Sequence, residues 1–260
     1  MTFWDHLEEL RGTILRALAA TVIVAVAAFV CKDWLFAVVM APSRPDFITY
    51  RLIDRLAAPA TPGGVQVALF NPELAAQFVI HMRMALWAGV LVVSPYILYL
   101  LFRFVAPGLY AHERRYAVRA VAGGYVMFLL GVALNYFVIF PFAFRFLGTY
   151  QVDASVPNQI ALSSYIGMLL TLSLVMGVLF ELPVLSWLLG KMSLLKAAWM
   201  RRYRKHAVVV ILILAAVITP TGDAFTLALV ALPIYLLYEA SILLVRRTEQ
   251  RCKKSNNSAQ

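Results

Sequence analysis

The sequence predicts an all-α integral membrane protein built as a six-transmembrane-helix bundle with kinked helices. Of its 260 residues, 62% are hydrophobic and 14% are charged, whereas an average soluble domain is about 45–50% apolar and about 25% charged. Apolar runs of about 17–25 residues recur along the chain, and basic residues cluster between those runs. A soluble fold of this length cannot bury so many apolar side chains, so the excess is expected to face lipid.

The six predicted spans form one membrane domain over residues 1–245. They lie at residues 12–31, 84–102, 120–140, 163–189, 206–218 and 224–244. The fifth and sixth spans are expected to be short. The fifth has 13 residues and would be about 20 Å long, against a hydrocarbon core of about 30 Å. Residues 246–260 are predicted to be a basic, disordered cytoplasmic tail.

The distribution of Lys and Arg predicts the orientation of the spans. Of the 23 basic residues, 17 fall on the side that holds both termini and 5 on the other, with Arg83 near that second face. Because cytoplasmic loops carry the excess of basic residues, both termini are expected in the cytoplasm. The stretch before the first run is net acidic, unlike the positive start of a cleaved signal peptide, so the first run is predicted to be a span.

Prolines inside or at the ends of the predicted helices are expected to bend them, because each removes a backbone donor. They are Pro95, Pro107, Pro141, Pro183 and Pro233. It is equally open that these prolines have no functional role, because prolines are common in transmembrane helices. The outer segment from Lys32 to Pro72 is rich in Pro and Gly and is predicted to be a loop with short helices.

Two polar stretches are predicted to lie on the cytoplasmic surface. The first, residues 2–11, places apolar residues on one face and is predicted to be a short amphipathic helix before the first span. Its Glu8, Glu9 and Arg11 could equally be a solvated polar face. The second, residues 104–115, holds a Pro-Gly pair and Glu113, which could pair with a neighbouring arginine.

Glu181 lies inside an apolar segment that is otherwise uncharged from Ala154 to Gly190. A charge at the centre of a span costs about 2.5–3.5 kcal/mol on insertion scales, and such residues usually serve a function. The alternative is a structural hydrogen bond within the bundle, to Tyr136 or Ser173. Glu239 in the sixth span lies nearer the helix end and is a weaker signal.

The sequence offers little support for catalysis, metal binding or a cofactor. It contains no GxSxG and no HExxH. Its four histidines do not have metal-ligand spacing: His6, His81, His112 and His206. Cys31 and Cys252 are predicted near opposite membrane faces, so no disulfide between them is expected.

Taken in order, the motifs resemble those of the TatC family of the twin-arginine protein translocase. The stretch His6-Leu7-Glu8-Glu9-Leu10-Arg11 resembles the HLxELR opening of the family, and residues 104–114 resemble its F-x-x-P-G-L-Y-x-x-E-R loop. Further similar stretches are Asn135-Tyr136-Phe137 with Pro141, Phe180-Glu181-Leu182-Pro183, Thr219-Pro220 with Asp223, and Pro233 with Tyr238-Glu239. The resemblance covers residues 3 to 245.

The resemblance implies a receptor and membrane scaffold, not an enzyme, in the cytoplasmic (inner) membrane. It implies that Glu9 and Glu113 meet the two arginines of a signal peptide, on a platform shaped by Arg11, Phe104, Pro107, Leu109 and Tyr110. It also implies that Glu181 and Tyr136 serve intramembrane contacts, with single-span TatA/TatB-type subunits as partners, and that Pro42 has a structural role in the outer loop. A homo-oligomer within the complex is expected.

One stretch departs from the family pattern. The chain reads Thr219-Pro220-Thr221-Gly222-Asp223 where many members have Thr-Pro-Pro-Asp, so the role of Asp223 in the altered turn stays open. Glu181 and the serines of the fourth span leave two alternative functions. A proton-coupled small-solute transporter would use Glu181 as its proton site. An intramembrane hydrolase would use Ser163 or Ser164 as its nucleophile, but no base stands at a compelling position.

Overall fold

The computed structural model describes residues 3–56, 69–105, 114–151, 153, 158–192, 194–219 and 222–257. Helices dominate this part of the chain. They are α1 (Phe3–Val30), α2 (Lys32–Met40), α3 (Ile48–Leu56), α4 (Ala76–Val105), α5 (Arg114–Leu134), α6 (Phe140–Thr149), α7 (Leu162–Leu179), α8 (Leu182–Lys191), α9 (Ala197–Arg202), α10 (Arg204–Ile218) and α11 (Ala224–Asn257). Two short strands, β1 (Leu69–Phe70) and β2 (Ile160–Ala161), pair in parallel.

Five helical segments of the described chain are long and apolar enough to cross a membrane. They are Leu7–Val30, Ala76–Leu101, Val121–Thr149, Leu162–Lys191 and Ala224–Gln250. The chain is therefore a helical, multi-pass membrane protein. The fifth predicted span coincides with α10, whose 15 residues give a length of about 22 Å.

Two predicted boundaries differ from the structure at the ends of the chain. The amphipathic helix and the first span form one continuous helix, α1, because the chain has no proline between them and Gly12 alone weakens a helix by only about 1 kcal/mol. At the other end α11 continues to Asn257, so residues 246–257 of the predicted disordered tail are helical.

The third span was predicted to end at residue 140, whereas the helical segment extends beyond that residue. The apolar helix continues to Thr149, passing Pro141 through a π-helical turn, Asn135–Ile139, that joins α5 to α6. A proline removes the donor for the carbonyl four residues earlier, which here is that of Phe137. The wider π turn accommodates the proline, and the Thr49 hydroxyl of α3 donates to the Phe137 carbonyl.

Two other prolines have different effects on their helices. Pro95 lies inside α4, and the Ser94 hydroxyl donates to the Leu91 carbonyl, at 2.7 Å, which the missing Pro95 N–H would otherwise have bonded. Pro183 coincides with a real interruption, because α7 ends at Leu179 and α8 begins at Leu182. The chain turns at Phe180 and Glu181 between them.

The chain divides into two compact units. The first comprises residues 1–13, 95–131 and 175–260. In it, α11 packs along α8, α9 and α10. Leu188 of α8 forms a core cluster with Val121, Val184, Trp187 and Met192. A Cβ on Gly190 would lie 3.2 Å from a methyl of Val245, so α8 and α11 are in close contact.

The second unit comprises residues 14–94 and 132–174. Its outer segment contains α2, a 3₁₀ turn (Ala41–Ser43) and α3, which confirms the predicted short helices in the described part of that segment. A core cluster of Leu35, Ala85 and Ala88 packs against partly buried hydrophobic side chains, namely Ala28, Phe29 and Trp87.

Candidate functional site

The predicted signal-peptide site falls in the first compact unit. Glu9, on the second turn of α1, is partly buried, whereas the neighbouring Glu8 and Arg11 are exposed. Phe104 lies in the last turn of α4 and is partly buried. Residues 1–13 and 95–131 belong to the same unit. Four predicted members of the site lie outside the described residues: Pro107, Leu109, Tyr110 and Glu113.

Glu181 occupies the turn between α7 and α8 and is buried, with 7% of its surface exposed. Its carboxyl group lies against the bare backbone of Gly124 on α5, where an added Cβ would stand 2.8 Å from Oε2. The glycine therefore makes the space that the carboxyl group fills. No other residue type could occupy position 124 without displacing Glu181.

Two further glycines bring α5 and α7 close together beyond this contact, towards the C-terminal end of α5. A Cβ on Gly131 would lie 2.5 Å from the backbone oxygen of Met176, and one on Gly177 would lie 2.7 Å from the Phe128 ring. Small residues at helix contacts permit such close packing in membranes. These contacts were not predicted from the sequence, although Gly124 and Gly131 stand seven residues apart, on one helix face.

The Oε1 atom of Glu181 is buried and has no hydrogen-bond partner among the described residues. The two partners proposed from the sequence have other bonds. The Tyr136 hydroxyl donates to the Val38 carbonyl at 2.6 Å, and Ser173 Oγ accepts from Asn135 Nδ2 at 2.8 Å. An unmade hydrogen bond on a buried group costs about 1–3 kcal/mol, so Oε1 can gain from a donor outside the described chain.

In the second unit, hydroxyl groups tie the outer segment to backbone carbonyls. Pro42 is buried in the 3₁₀ turn. The Tyr50 hydroxyl is 3.1 Å from the Pro42 carbonyl and 3.2 Å from that of Pro141, and its single hydrogen can serve one of them at a time. Tyr165 donates to the Val39 carbonyl at 3.0 Å. The backbone carbonyls of Pro42, Val38 and Val39 in the outer segment thus each lie within hydrogen-bond distance of a tyrosine hydroxyl.

Asp223 has a defined structural role in the altered turn. Its Oδ1 accepts a hydrogen bond of 2.7 Å from the Thr226 N–H, which is the geometry of an N-cap for α11. Gly222 before it has a φ of +59°, a backbone conformation that favours glycine. The extra residue in the turn is therefore accommodated by the Gly222-Asp223 pair.

Glu239 on α11 is engaged with Arg204 at the start of α10. Arg204 Nη2 lies 2.6 Å from Glu239 Oε2, and the Tyr235 hydroxyl lies 3.3 Å from Oε1. The pair is partly exposed, so it contributes up to about 1 kcal/mol to the stability of the fold.

Within the described ranges, no group of three or more His, Cys, Asp or Glu side chains is arranged to hold a metal ion.

Comparison with known proteins gives a consistent result. The profile of the family described as "TatC: Sec-independent protein translocase protein (TatC)" matches residues 5–233. The chain is 32% identical, over 250 residues, to the Sec-independent protein translocase protein TatC of Blattabacterium sp. subsp. Periplaneta americana (strain BPLAN), covering 93% of this chain and 94% of the relative. It is 34% identical to the protein of the same name from Koribacter versatilis (strain Ellin345), covering 100% and 92%.

A solved structure is similar as well. The crystal structure described as that of the twin arginine translocase receptor TatC matches this chain with a TM-score of 0.76 and 28% sequence identity. The match covers 94% of this chain and 99% of the other. The structural similarity therefore extends over nearly the whole length of the chain.

Proposed function

Because the chain belongs to the TatC family of Sec-independent protein translocase proteins, we propose that it is the signal-peptide receptor and core scaffold of a twin-arginine translocase, which exports folded proteins. The observation that carries this proposal is the placement of Glu9 and Phe104 in one compact unit. Those two residues stand in the two stretches that resemble the family's cytoplasmic motifs. Glu9 is the partly buried member of an acidic pair, as a carboxylate within a binding surface would be.

In this proposal Glu9 and Glu113 each accept hydrogen bonds from one arginine of the signal peptide. A guanidinium group presents a planar fork of donors that a carboxylate accepts in bidentate fashion. A lysine offers a point charge without that geometry. The site would therefore distinguish an Arg-Arg pair from a Lys-Lys pair of equal charge. Arg11, Phe104, Pro107, Leu109 and Tyr110 would form the surrounding platform.

Photo-crosslinking tests this recognition. A signal peptide carrying Arg-Arg or Lys-Lys is offered to membranes that contain the wild type, Glu9→Ala or Glu113→Ala, with the probe beside residue 113. We expect crosslinking that requires Arg-Arg and decreases with either substitution. Equal labelling by both peptides, unaffected by both substitutions, would remove the site assignment.

We further propose that the protein lies in the inner membrane and crosses it six times, with both termini in the cytoplasm. In this topology α10 is the short fifth span. The basic residues support this orientation.

We propose a second role for α10, as a docking edge for single-span TatA/TatB-type subunits. Its apolar side chains are exposed around most of the helix, and Val217 is 79% exposed.

Cysteine crosslinking tests the docking edge. A cysteine replaces Val217, or the buried Ile211 as a control on the same helix, in a chain with Cys31→Ser and Cys252→Ser. Membranes that also contain a single-span subunit with one cysteine in its span are then oxidised. A disulfide adduct at position 217 and none at 211 is the expected result. The same adduct at both positions, or at neither, would contradict the docking edge.

Glu181 is proposed to offer its Oε1 atom to a polar side chain of such a subunit. The buried carboxyl group without a partner for Oε1 supports this role. Co-purification of the subunit is expected to decrease with Glu181→Ala and to persist with Glu239→Ala.

The alternative function, a proton-coupled transporter that uses Glu181 as its proton site, has a different test. It predicts solute uptake into liposomes that is driven by a pH gradient and is lost with Glu181→Gln.

A further inference from the structure

The chain between α8 and α10 carries a dense group of cations. We call residues 194–206, which include α9 and the first residues of α10, the basic turn. It contains five Lys or Arg residues, and no Asp or Glu occurs between residues 182 and 222. The cations are Lys196, Arg201, Arg202, Arg204 and Lys205. The apolar helix Leu162–Lys191 ends just before the basic turn, so this turn lies where the chain leaves the hydrocarbon.

Two acids of α11 face the basic turn, and both are already engaged. Glu239 pairs with Arg204, and Glu249 Oε1 accepts a hydrogen bond of 2.9 Å from the N–H of Ala197, at the start of α9. These bonds attach the basic turn to α11. The other four cations form no ion pair with any residue that the structure describes.

The exposed residues of α11 add to the charge of this surface instead of balancing it. Arg246 and Arg247 are both exposed, close to Glu249 and therefore close to the start of α9. The surface thus carries a concentration of positive charge that the described chain does not neutralise. Its counter-charge must come from another molecule or from solution ions.

Large apolar side chains are exposed among these cations. Leu194, Trp199 and Tyr203 have 61%, 57% and 55% of their surfaces exposed. The Lys196 ammonium lies 5.9 Å from the centre of the Trp199 ring, a cation–π contact. A purely solvated charged face would not be expected to expose Trp and Leu together. Trp and Tyr beside Lys and Arg are typical of the headgroup level of a bilayer.

We propose that the basic turn binds the phosphate headgroups of anionic phospholipids in the leaflet that it touches. Arg201 and Arg202 supply donors that match phosphate oxygens, Lys196 supplies a further charge, and Trp199 lies at the level of the glycerol and upper acyl chain. The charge complementarity selects anionic over zwitterionic lipid. The proposal does not depend on signal-peptide recognition and requires only that the helices cross a bilayer.

Fluorescence quenching tests the proposal. The full chain is placed in nanodiscs of equal parts phosphatidylglycerol and phosphatidylcholine, with brominated acyl chains on one lipid or the other. The signal of Trp199 is obtained by subtracting that of Trp199→Phe. We expect quenching by brominated phosphatidylglycerol at least about threefold stronger than by brominated phosphatidylcholine, a conservative figure because each basic residue near an anionic surface is worth about fivefold.

Charge removal provides the matched comparison. The triple variant Lys196→Gln/Arg201→Gln/Arg202→Gln is expected to bring the quenching ratio towards one. The control triple variant removes Lys32, Arg44 and Arg55, three exposed cations of the other compact unit, and should keep the wild-type ratio. An unchanged ratio in the first variant, or an equal loss in both, would overturn the proposal.

The wild type alone gives a second test, which does not depend on the folding of a variant. Salt screens charges at a surface, so the preference for phosphatidylglycerol should decrease as KCl is raised. Equal quenching by the two lipids at low salt would overturn the proposal. So would the absence of quenching by both, since Trp199 would then stand in water.

Discussion

The hydroxyl of Thr49 donates a hydrogen bond to the backbone carbonyl of Phe137, four residues before Pro141, which has no N–H to donate. A side chain of α3 thus replaces a backbone donor that the transmembrane helix lacks. The outer segment and the helix around the π turn therefore depend on each other. The apolar helical segment continues past its interior proline to Thr149, and a side-chain hydroxyl satisfies a backbone carbonyl beside that proline.

Replacing Thr49 by Val is expected to lower the stability of the protein by about 0.5–1.5 kcal/mol, because the part-buried hydrogen bond to the Phe137 carbonyl is lost. Thermal unfolding in detergent measures the change. Thr171→Val is the matched control, since Thr171 is exposed on α7 and should change stability little. If both variants unfolded at the wild-type temperature, the hydroxyl would not be supporting the π turn.

Gly124→Ala is expected to displace the Glu181 carboxyl group without unfolding the protein. The new Cβ would meet the end of a flexible side chain, 2.8 Å from Oε2, and Ala gains up to about 1 kcal/mol of helix propensity over Gly. Export of a twin-arginine substrate by membrane vesicles should therefore decrease at unchanged stability. Gly123→Ala, with nothing within 4 Å of its Cβ, should export normally. Equal export by both variants would contradict the importance of the carboxyl position.

Gly131→Ala is expected to destabilise the protein by about 1–3 kcal/mol. Its Cβ would lie 2.5 Å from the Met176 backbone oxygen and 2.9 Å from the adjoining carbon, so two helices must separate. Gly167→Ala on α7 has open space and should be neutral or slightly stabilising. Denaturation curves of the two variants measure the contrast. A neutral Gly131→Ala would mean that α5 and α7 are not in such close contact.

The stability of the outer segment is expected to fall in alkali. Burial raises the pKa of Tyr50 to about 12 from its ordinary 10, and the nearby Arg145 only partly offsets this. Because the folded pKa is the higher one, the stabilisation is complete below pH 10 and is lost as the pH rises through 12. Tyr50→Phe should be less stable at neutral pH but lose less stability between pH 10 and 12. Parallel pH curves for the two proteins would contradict this assignment.

Hydrophobic runs and isolated charges were sufficient to predict much of the fold and part of the site. The apolar runs identified five helices long enough to cross a membrane, because lipid requires continuous apolar segments. Glu181 was singled out correctly as unusual, since it is buried and its Oε1 has no partner among the described residues. These are local properties that a single segment reveals.

Contacts between distant segments could not be predicted in the same way. Thr49 and Phe137 are 88 residues apart, and nothing in either segment indicates the other. Nothing in the sequence around Gly124 indicates that this residue contacts the Glu181 carboxyl group. Pro141 was expected to bend a helix, and the structure shows the helical segment continuing past it through a π turn.

The most direct test of the receptor role is the affinity of a signal peptide for the protein in nanodiscs, measured for Arg-Arg and Lys-Lys peptides. The wild type is compared with Glu9→Gln and with Glu8→Gln, its exposed neighbour. Hydrogen bonds to a charged group contribute about 1.5–3 kcal/mol. We expect Glu9→Gln to weaken Arg-Arg binding by about tenfold or more and to abolish the preference over Lys-Lys, whereas Glu8→Gln should change neither. Wild-type affinity and preference in Glu9→Gln would contradict the receptor role.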